Sequence, residues 1–216
     1  MKKIALIGAS GFIGSAILKE SLERGHSVIA IVRHPEKIKL ANPNLKIVTG
    51  DVLNEDSFFE LIQGADVVIS AYNPGWTNPA ISTDTTTAYK SIVSGVKKAK
   101  ISRLLIVGGA GSLLISPDKR LMDTGIISET YMPAVKSLAD VLYGLQNEEK
   151  DLDWVFFSPA GNIAPGEKTG TFRLGKDHLI VDEKRESNIS VEDYAVAMLD
   201  EVEKPQHHRE RFTIGY

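Results

Sequence analysis

The sequence predicts an α/β protein built on a doubly wound, mainly parallel sheet, and three observations carry that expectation. Short apolar runs that do not alternate with polar residues recur along the chain, the pattern of strands buried on both faces. Stretches with apolar residues at helical spacing separate them, so strand and helix alternate. The first strand also runs straight into three glycines at a strand-to-helix corner.

That corner is KKIALIGASGFIG, residues 2–14. Ile4 to Ile7 make the strand. Gly8 permits the turn, Gly11 removes the Cβ that would keep a ligand off the backbone, and Gly14 lets the helix lie close on the strand. Residues 15–23 continue with apolar residues at helical spacing. The free amides of the helix start therefore face a ligand, with the positive end of the helix dipole behind them. Glycines at this spacing, in this setting, predict a dinucleotide pyrophosphate site formed by Gly8, Ser10, Gly11, Phe12, Ile13 and Gly14.

Gly25 stops the first helix, and Ser27 to Val32 is the second strand, which completes a right-handed crossover unit. An NAD-specific site carries an Asp or Glu just beyond this strand to hold the ribose hydroxyls, whereas this chain has Arg33 and His34. A guanidinium cannot accept a hydrogen bond and suits a phosphate, so the expected cofactor is NADP(H), with NAD(H) as the alternative. Residues 35–40 suggest a short helix, and Leu45 to Thr49 a third strand ending in Gly50, Asp51 and Val52. At that edge Asp51 can accept from an adenine amino group while Val52 packs on the ring, or Asp51 can simply turn the chain. Residues 54–62 read as a helix and 65–70 as the fourth strand. Its exit, from Ala71 and Tyr72 through Trp76, is a turn-rich loop at the edge that lines a cofactor.

Asp84 looks like the cap of a helix over 88–100. The fifth strand, 103–107, runs into GGAGS at 108–112, and so glycine-rich an exit suggests close approach of a ligand at Gly108. Residues 113–124 carry no regular pattern. A helix beginning at Glu129 or Tyr131 runs to Glu148, and 154–157 is a sixth strand. Residues 160–176 hold five glycines or prolines and one strand-like piece at 169–174. Loops this long in compact domains are usually functional, so 160–188 is read as a cover over a substrate pocket. A helix over 191–203 and a short strand at 211–214 follow. His207 and His208 have no third ligand nearby, so no metal site is expected.

At 216 residues, 43% hydrophobic and 25% charged, the chain suffices for one domain with one substantial core. A net charge of -3 gives no sign of a nucleic-acid footprint or of attraction to an acidic membrane surface. There are no cysteines, which excludes disulfides, thiolate metal sites and a cysteine nucleophile. With no apolar stretch long enough to span a bilayer and no cleavage-site pattern, a cytoplasmic protein is expected.

Set side by side, GASGFIG, VRHPEK, the GDV after the third strand and ISVEDYA near the end resemble the atypical short-chain dehydrogenases/reductases. Through SPAGNIAPGEKTGTFRLGKDHL the chain resembles, more narrowly, the NADH-flavin reductase-like group related to biliverdin-IXβ reductase and NmrA-like proteins. The resemblance covers nearly the full length. It implies a Rossmann sheet of order 3-2-1-4-5-6 with a small C-terminal addition.

It also reveals a departure. Ordinary members of the superfamily pair a tyrosine with a lysine four positions later, the lysine lowering the phenol's pKa for proton transfer. Here Lys136 has Met132 at that spacing, and Tyr131 stands one place early, about 100° away around a helix. A carbonyl-reducing alcohol dehydrogenase is thereby disfavoured. A flavin reductase escapes the difficulty, because hydride passes between stacked rings and the protein chiefly supplies orientation and a dry pocket. The resemblance thus implies an NAD(P)H-dependent reductase with a small-molecule substrate, a flavin or similar planar acceptor. Tyr72, Trp76, Tyr131 and Met132 are candidate contacts to it. Ser112 and Tyr131 are the candidate catalytic residues, Ser112 as a hydrogen-bond donor. Competing expectations are a non-catalytic redox sensor of the NmrA-like kind and a nucleotide-sugar epimerase-like enzyme, which would need the missing tyrosine-lysine pair.

Overall fold

The computed structural model describes residues 1–216, except for the side chains of Glu55, Asp56 and Ser57. Strand and helix alternate through β1 (Lys3–Ile7), α1 (Phe12–Glu23), β2 (Ser27–Val32), β3 (Leu45–Thr49), α2 (Glu55–Leu61), β4 (Val67–Ser70), α3 (Ile81–Lys98) and β5 (Arg103–Val107). A hairpin of β6 (Leu114–Ser116) and β7 (Lys119–Arg120) then leads to α4 (Met132–Glu148) and β8 (Asp153–Ser158). The chain continues through β9 (Asn162–Ala164), β10 (Arg173–Gly175), β11 (Asn188–Ser190), α5 (Val191–Glu203) and β12 (Glu210–Gly215). Eight strands form one sheet in the order β10-β12-β8-β5-β4-β1-β2-β3, and only β10 runs antiparallel to its neighbour. The expected 3-2-1-4-5-6 order is present, with β8 in sixth place. The C-terminal addition is β12 and β10, laid along the edge of β8.

The sheet is sandwiched because its strands have no polar face. In β1, Ile4 and Leu6 enter one core and Ala5 and Ile7 the other, all of them buried. Helices α1 and α5 cover the first face through Ile17, Leu18, Tyr194 and Met198. Helices α2, α3 and α4 cover the second through Phe58, Ile92, Val96 and Leu142. Each large apolar side chain so buried contributes about 1.5–3 kcal/mol, and this packing, more than helix propensity, holds the layers.

Four boundaries differ from the sequence expectation. Helix α3 starts at Ile81 and not at residue 88, and Asp84 lies within its first turn instead of capping it. Its β-branched threonines argue against a helix locally, but Thr85 and Thr86 return their hydroxyls to the carbonyls of Ile81 and Ser82. Residues 113–124 hold the β6/β7 hairpin and a 3-10 turn at Leu121–Thr124, pieces too short to show a period. Pro35–Lys37 is a single 3-10 turn. The strand-like stretch at 169–174 pairs only over Arg173–Gly175, while β9 and β11 pair with each other through contacts that no local pattern announces.

Asp193, in the first turn of α5, fastens the C-terminal addition. Its carboxylate accepts from the Thr169 hydroxyl at 2.5 Å, the Tyr216 hydroxyl at 2.7 Å and the Gly170 amide at 2.8 Å. Burial opposes its charge, but these donors outweigh burial and hold the carboxyl below its usual range. A depressed carboxyl stabilises the fold above its unfolded pKa, and that contribution is lost as pH falls through the folded value. We expect Asp193→Ala to cost roughly 3 kcal/mol through the loss of charge-assisted hydrogen bonds. Thermal melts should show a larger drop at pH 7 than at pH 3; equal drops would mean the ionised carboxylate is not what holds the addition.

Candidate functional site

The carboxyl ends of the parallel strands open into a cleft of about 820 Å³. It follows the sheet order, from the exits of β3 and β2, past β1 and β4, to those of β5 and β8. With strands about 4.8 Å apart, the β2 and β8 exits lie about 19 Å from each other. Every residue that the sequence assigns to the dinucleotide lines this cleft, as does Ser112; Tyr131 does not.

At its centre Gly8 has a φ of +76°, and a Cβ there would meet the Ala71 carbonyl oxygen at 2.4 Å. A Cβ on Gly14 would lie 2.1 Å from the Gly8 oxygen, so α1 can rest on β1 only with glycine at that place. Gly11 is less constrained: a Cβ there would sit 3.3 Å from the Gly8 carbonyl oxygen, a tight contact relieved by a shift of a few tenths of an ångström. Helix α1 begins with no side-chain cap and no acidic residue in its first turn. The amides of Phe12, Ile13 and Gly14 are thus left to a ligand, with the positive end of a 12-residue helix behind them.

The β2 and β3 end supplies polar groups. Arg33 is exposed there and makes no ion pair among the described residues. Asp51 accepts from the Leu53 amide at 3.0 Å, so it turns the chain, and it also lines the cleft beside buried Val52. The hydroxyl of Tyr72 is buried without a hydrogen-bond partner among the described residues, and burial pushes its pKa up to about 12. It stays a protonated hydroxyl, closed off from the open cleft that other parts of the Tyr72 residue line. Uncapped amides beside a backbone stretch bare at Gly11 are the features of this end that an anionic ligand could engage.

At the other end, Ser112 closes a 3-10 turn, Ala110–Ser112, and is buried. Arg211 Nη1 donates to its hydroxyl and to its carbonyl oxygen, both at 3.0 Å, while Nε and Nη2 of Arg211 bind Asp177. The guanidinium occupies a lone pair of the serine oxygen and leaves the hydroxyl proton free to be donated.

Several expected residues have other duties. A Cβ on Gly108 would meet the Phe156 ring at 2.3 Å, and one on Gly111 would meet Val135 at 2.2 Å, so these glycines serve core packing even where they border the cleft. Tyr131 precedes α4, is 47% exposed, and sets its ring edge-on to Trp76 at 5.4 Å; of the two, Trp76 lines the cleft. Met132 and Lys136 face a separate hollow with Arg120, Asp140 and Tyr143. The face of α4 that meets the cleft is Ala134, Val135, Leu138 and Ala139, with no acid or base on it. Segment 160–188 reaches the cleft through Ala160, Gly161 and Ile163. Beyond them it is tied to α1 by Lys168 with Glu20 and Glu23, and to the sheet edge by β10.

Sequence reasoning missed Leu121, Ile126 and Ile127, which line the cleft from a stretch without period, and Ile81 and Thr85, hidden by the late placement of α3. The α4 wall of Ala134, Val135, Leu138 and Ala139 was missed as well, although its apolar residues stand at helical spacing. Among the described residues no group of three or more His, Asp or Glu is placed to hold a metal; His207 and His208 engage Glu201 and Asp153. No helix among them is long and apolar enough to cross a membrane.

Two glycine variants separate architecture from binding. Gly11→Ala should melt within roughly 4 °C of the parent, about 1 kcal/mol for a chain of this size, yet bind NADP⁺ about tenfold or more weakly by calorimetry. Gly14→Ala should lose both stability and binding. Undiminished binding in Gly11→Ala would show that no ligand approaches the backbone there.

The family described as NAD(P)H-binding matches residues 8–205. An uncharacterised protein of Bacillus subtilis, YwnB, is 41% identical over 217 residues, spanning 98% of this chain and 97% of its own. A Bacteroides thetaiotaomicron protein provisionally named an epimerase superposes with a TM-score of 0.94 at 55% identity, over 100% of this chain and 97% of its own. A Streptococcus pneumoniae protein provisionally named an NADH-flavin reductase superposes at 0.84 with 34% identity, over 100% and 99%. With an uncapped glycine corner at the head of a Rossmann sheet, this chain belongs to the NAD(P)H-binding family.

Proposed function

We propose that the protein is an NAD(P)H-dependent reductase of a planar acceptor such as a flavin. The observation that carries this reading is the apolar face α4 turns to the cleft, with Lys136 on the far side and Tyr131 outside. Reduction of a carbonyl to an alcohol calls for a proton donor on that helix, whereas two stacked rings need orientation and dryness. When bound, the reduced dinucleotide supplies a hydride to the acceptor and is left oxidised, with solvent supplying the completing proton.

The chain's own residues hold and orient. The amides of Phe12, Ile13 and Gly14 seat the pyrophosphate, Asp51 and Val52 border the adenine, and Arg33 reads a 2′-phosphate, so NADP(H) is the preferred cofactor. Tyr72 borders the same ligand from the β4 exit. Ser112, fixed by Arg211, donates to the ring at the opposite end, and the first residues of segment 160–188 cover the substrate there. The flavin-reductase name of one relative agrees with this reading. The epimerase name of another would require the tyrosine-lysine pair, which the position of Lys136 argues against.

Mixing the protein with NADPH and a flavin should consume nicotinamide absorbance faster than the spontaneous reaction. Tight dinucleotide binding with no excess rate for any of several acceptors would sink the reductase reading in favour of a redox sensor. Calorimetry on Arg33→Ala should show NADPH weakened about tenfold and NADH little changed; equal losses would mean Arg33 does not read the 2′-phosphate.

A further inference from the structure

We infer that the acceptor preferred by this cleft is an uncharged planar ring system, and that acceptors carrying a phosphate, sulfonate or carboxylate are disfavoured. This rests on the reductase reading and concerns which acceptor the far end admits. The observation behind it is the segregation of charge along the cleft. Its basic lining residues, Arg33, His34 and Lys37, all stand just beyond β2, and its acidic one, Asp51, just beyond β3. At the β5 and β8 end the described lining residues include no Lys, Arg, His, Asp or Glu. The walls there are Trp76, Leu121, Ile126, Ile127, Val135 and Leu138.

The cations of the surrounding elements are committed elsewhere. Arg120 is held by Asp123 and donates to the Tyr143 hydroxyl, and it faces the other hollow together with Lys136. Arg211 lies behind Ser112, paired with Asp177. The rim is apolar too, with Ile126 79% and Trp76 56% exposed, so an anionic tail left at the mouth meets no cation either.

An anion entering this end gives up hydration and gains no counter-charge, while a neutral ring gains burial. The basic end cannot serve a second anion, because the phosphates of the dinucleotide occupy it.

Riboflavin and FMN share one ring and differ by a phosphate. With the redox-inert 1,4,5,6-tetrahydro form of NADP saturating, whose ring is uncharged, titration of protein into each, followed by quenching of flavin fluorescence, should give riboflavin a dissociation constant roughly fivefold or more below that of FMN. Ile126→Arg, at a site exposed enough to accept it, should tighten FMN several-fold and narrow the gap. A neutral naphthoquinone should likewise be reduced by NADPH with higher kcat/KM than its sulfonate. FMN bound as tightly as riboflavin, or the sulfonate turned over as well as the neutral quinone, would overturn the inference and leave the reductase reading standing. Neither binding nor turnover with any of the four compounds would overturn both.

Discussion

The contact on which the rest depends is the rest of α1 against β1, where Gly14 lies so close to the Gly8 carbonyl that a Cβ would stand 2.1 Å from its oxygen. That approach aims the start of an uncapped helix at the middle of the sheet's carboxyl edge. Three uncapped amides and the positive end of the helix then face the cleft, a seat an anion could take without a charged side chain. Parallel pairing of β1 with both β2 and β4 puts the seat at the switch point of the sheet, so a ligand centred on it extends both ways.

The two directions differ in chemistry because different elements supply them. Toward β2 and β3 the lining comes from strand exits and a short turn, where exposed polar residues are tolerated. Toward β5 and β8 it comes from α4 and the loop before it, which pack on Gly109 and Gly111 through Leu138, Val135 and Ile127 and are therefore apolar. Helix register makes this division sharp. Residues 134, 135, 138 and 139 share the face that packs, which sends Met132, Lys136 and Asp140 to the opposite side. A proton-donating pair on that helix would need a different register.

The sheet was legible in the sequence because strands buried on both faces have little latitude: Ile4 to Ile7 and Ser27 to Val32 have no amphipathic alternative. The glycine corner with its uncapped helix start was legible because its glycines answer to local geometry. What the chain concealed depends on distant partners. Ile81 begins α3 through a threonine run whose hydroxyls find their own helix carbonyls, and Ile126 and Ile127 gain a role only when α4 arrives beside them. Ser112 shows the same limit. Its position after β5 is readable, but the guanidinium that fixes its hydroxyl comes from Arg211, 99 residues away.

Amide chemical-shift mapping of ¹⁵N-labelled protein during titration with NADP⁺ tests the anion seat most directly. The largest displacements are expected at Phe12, Ile13 and Gly14, with no comparable change at the start of α5, where Ser190 already caps the Asp193 amide and two acids fill the first turn. Dinucleotide binding that leaves those three amides unmoved would contradict a pyrophosphate seat at the α1 N-terminus.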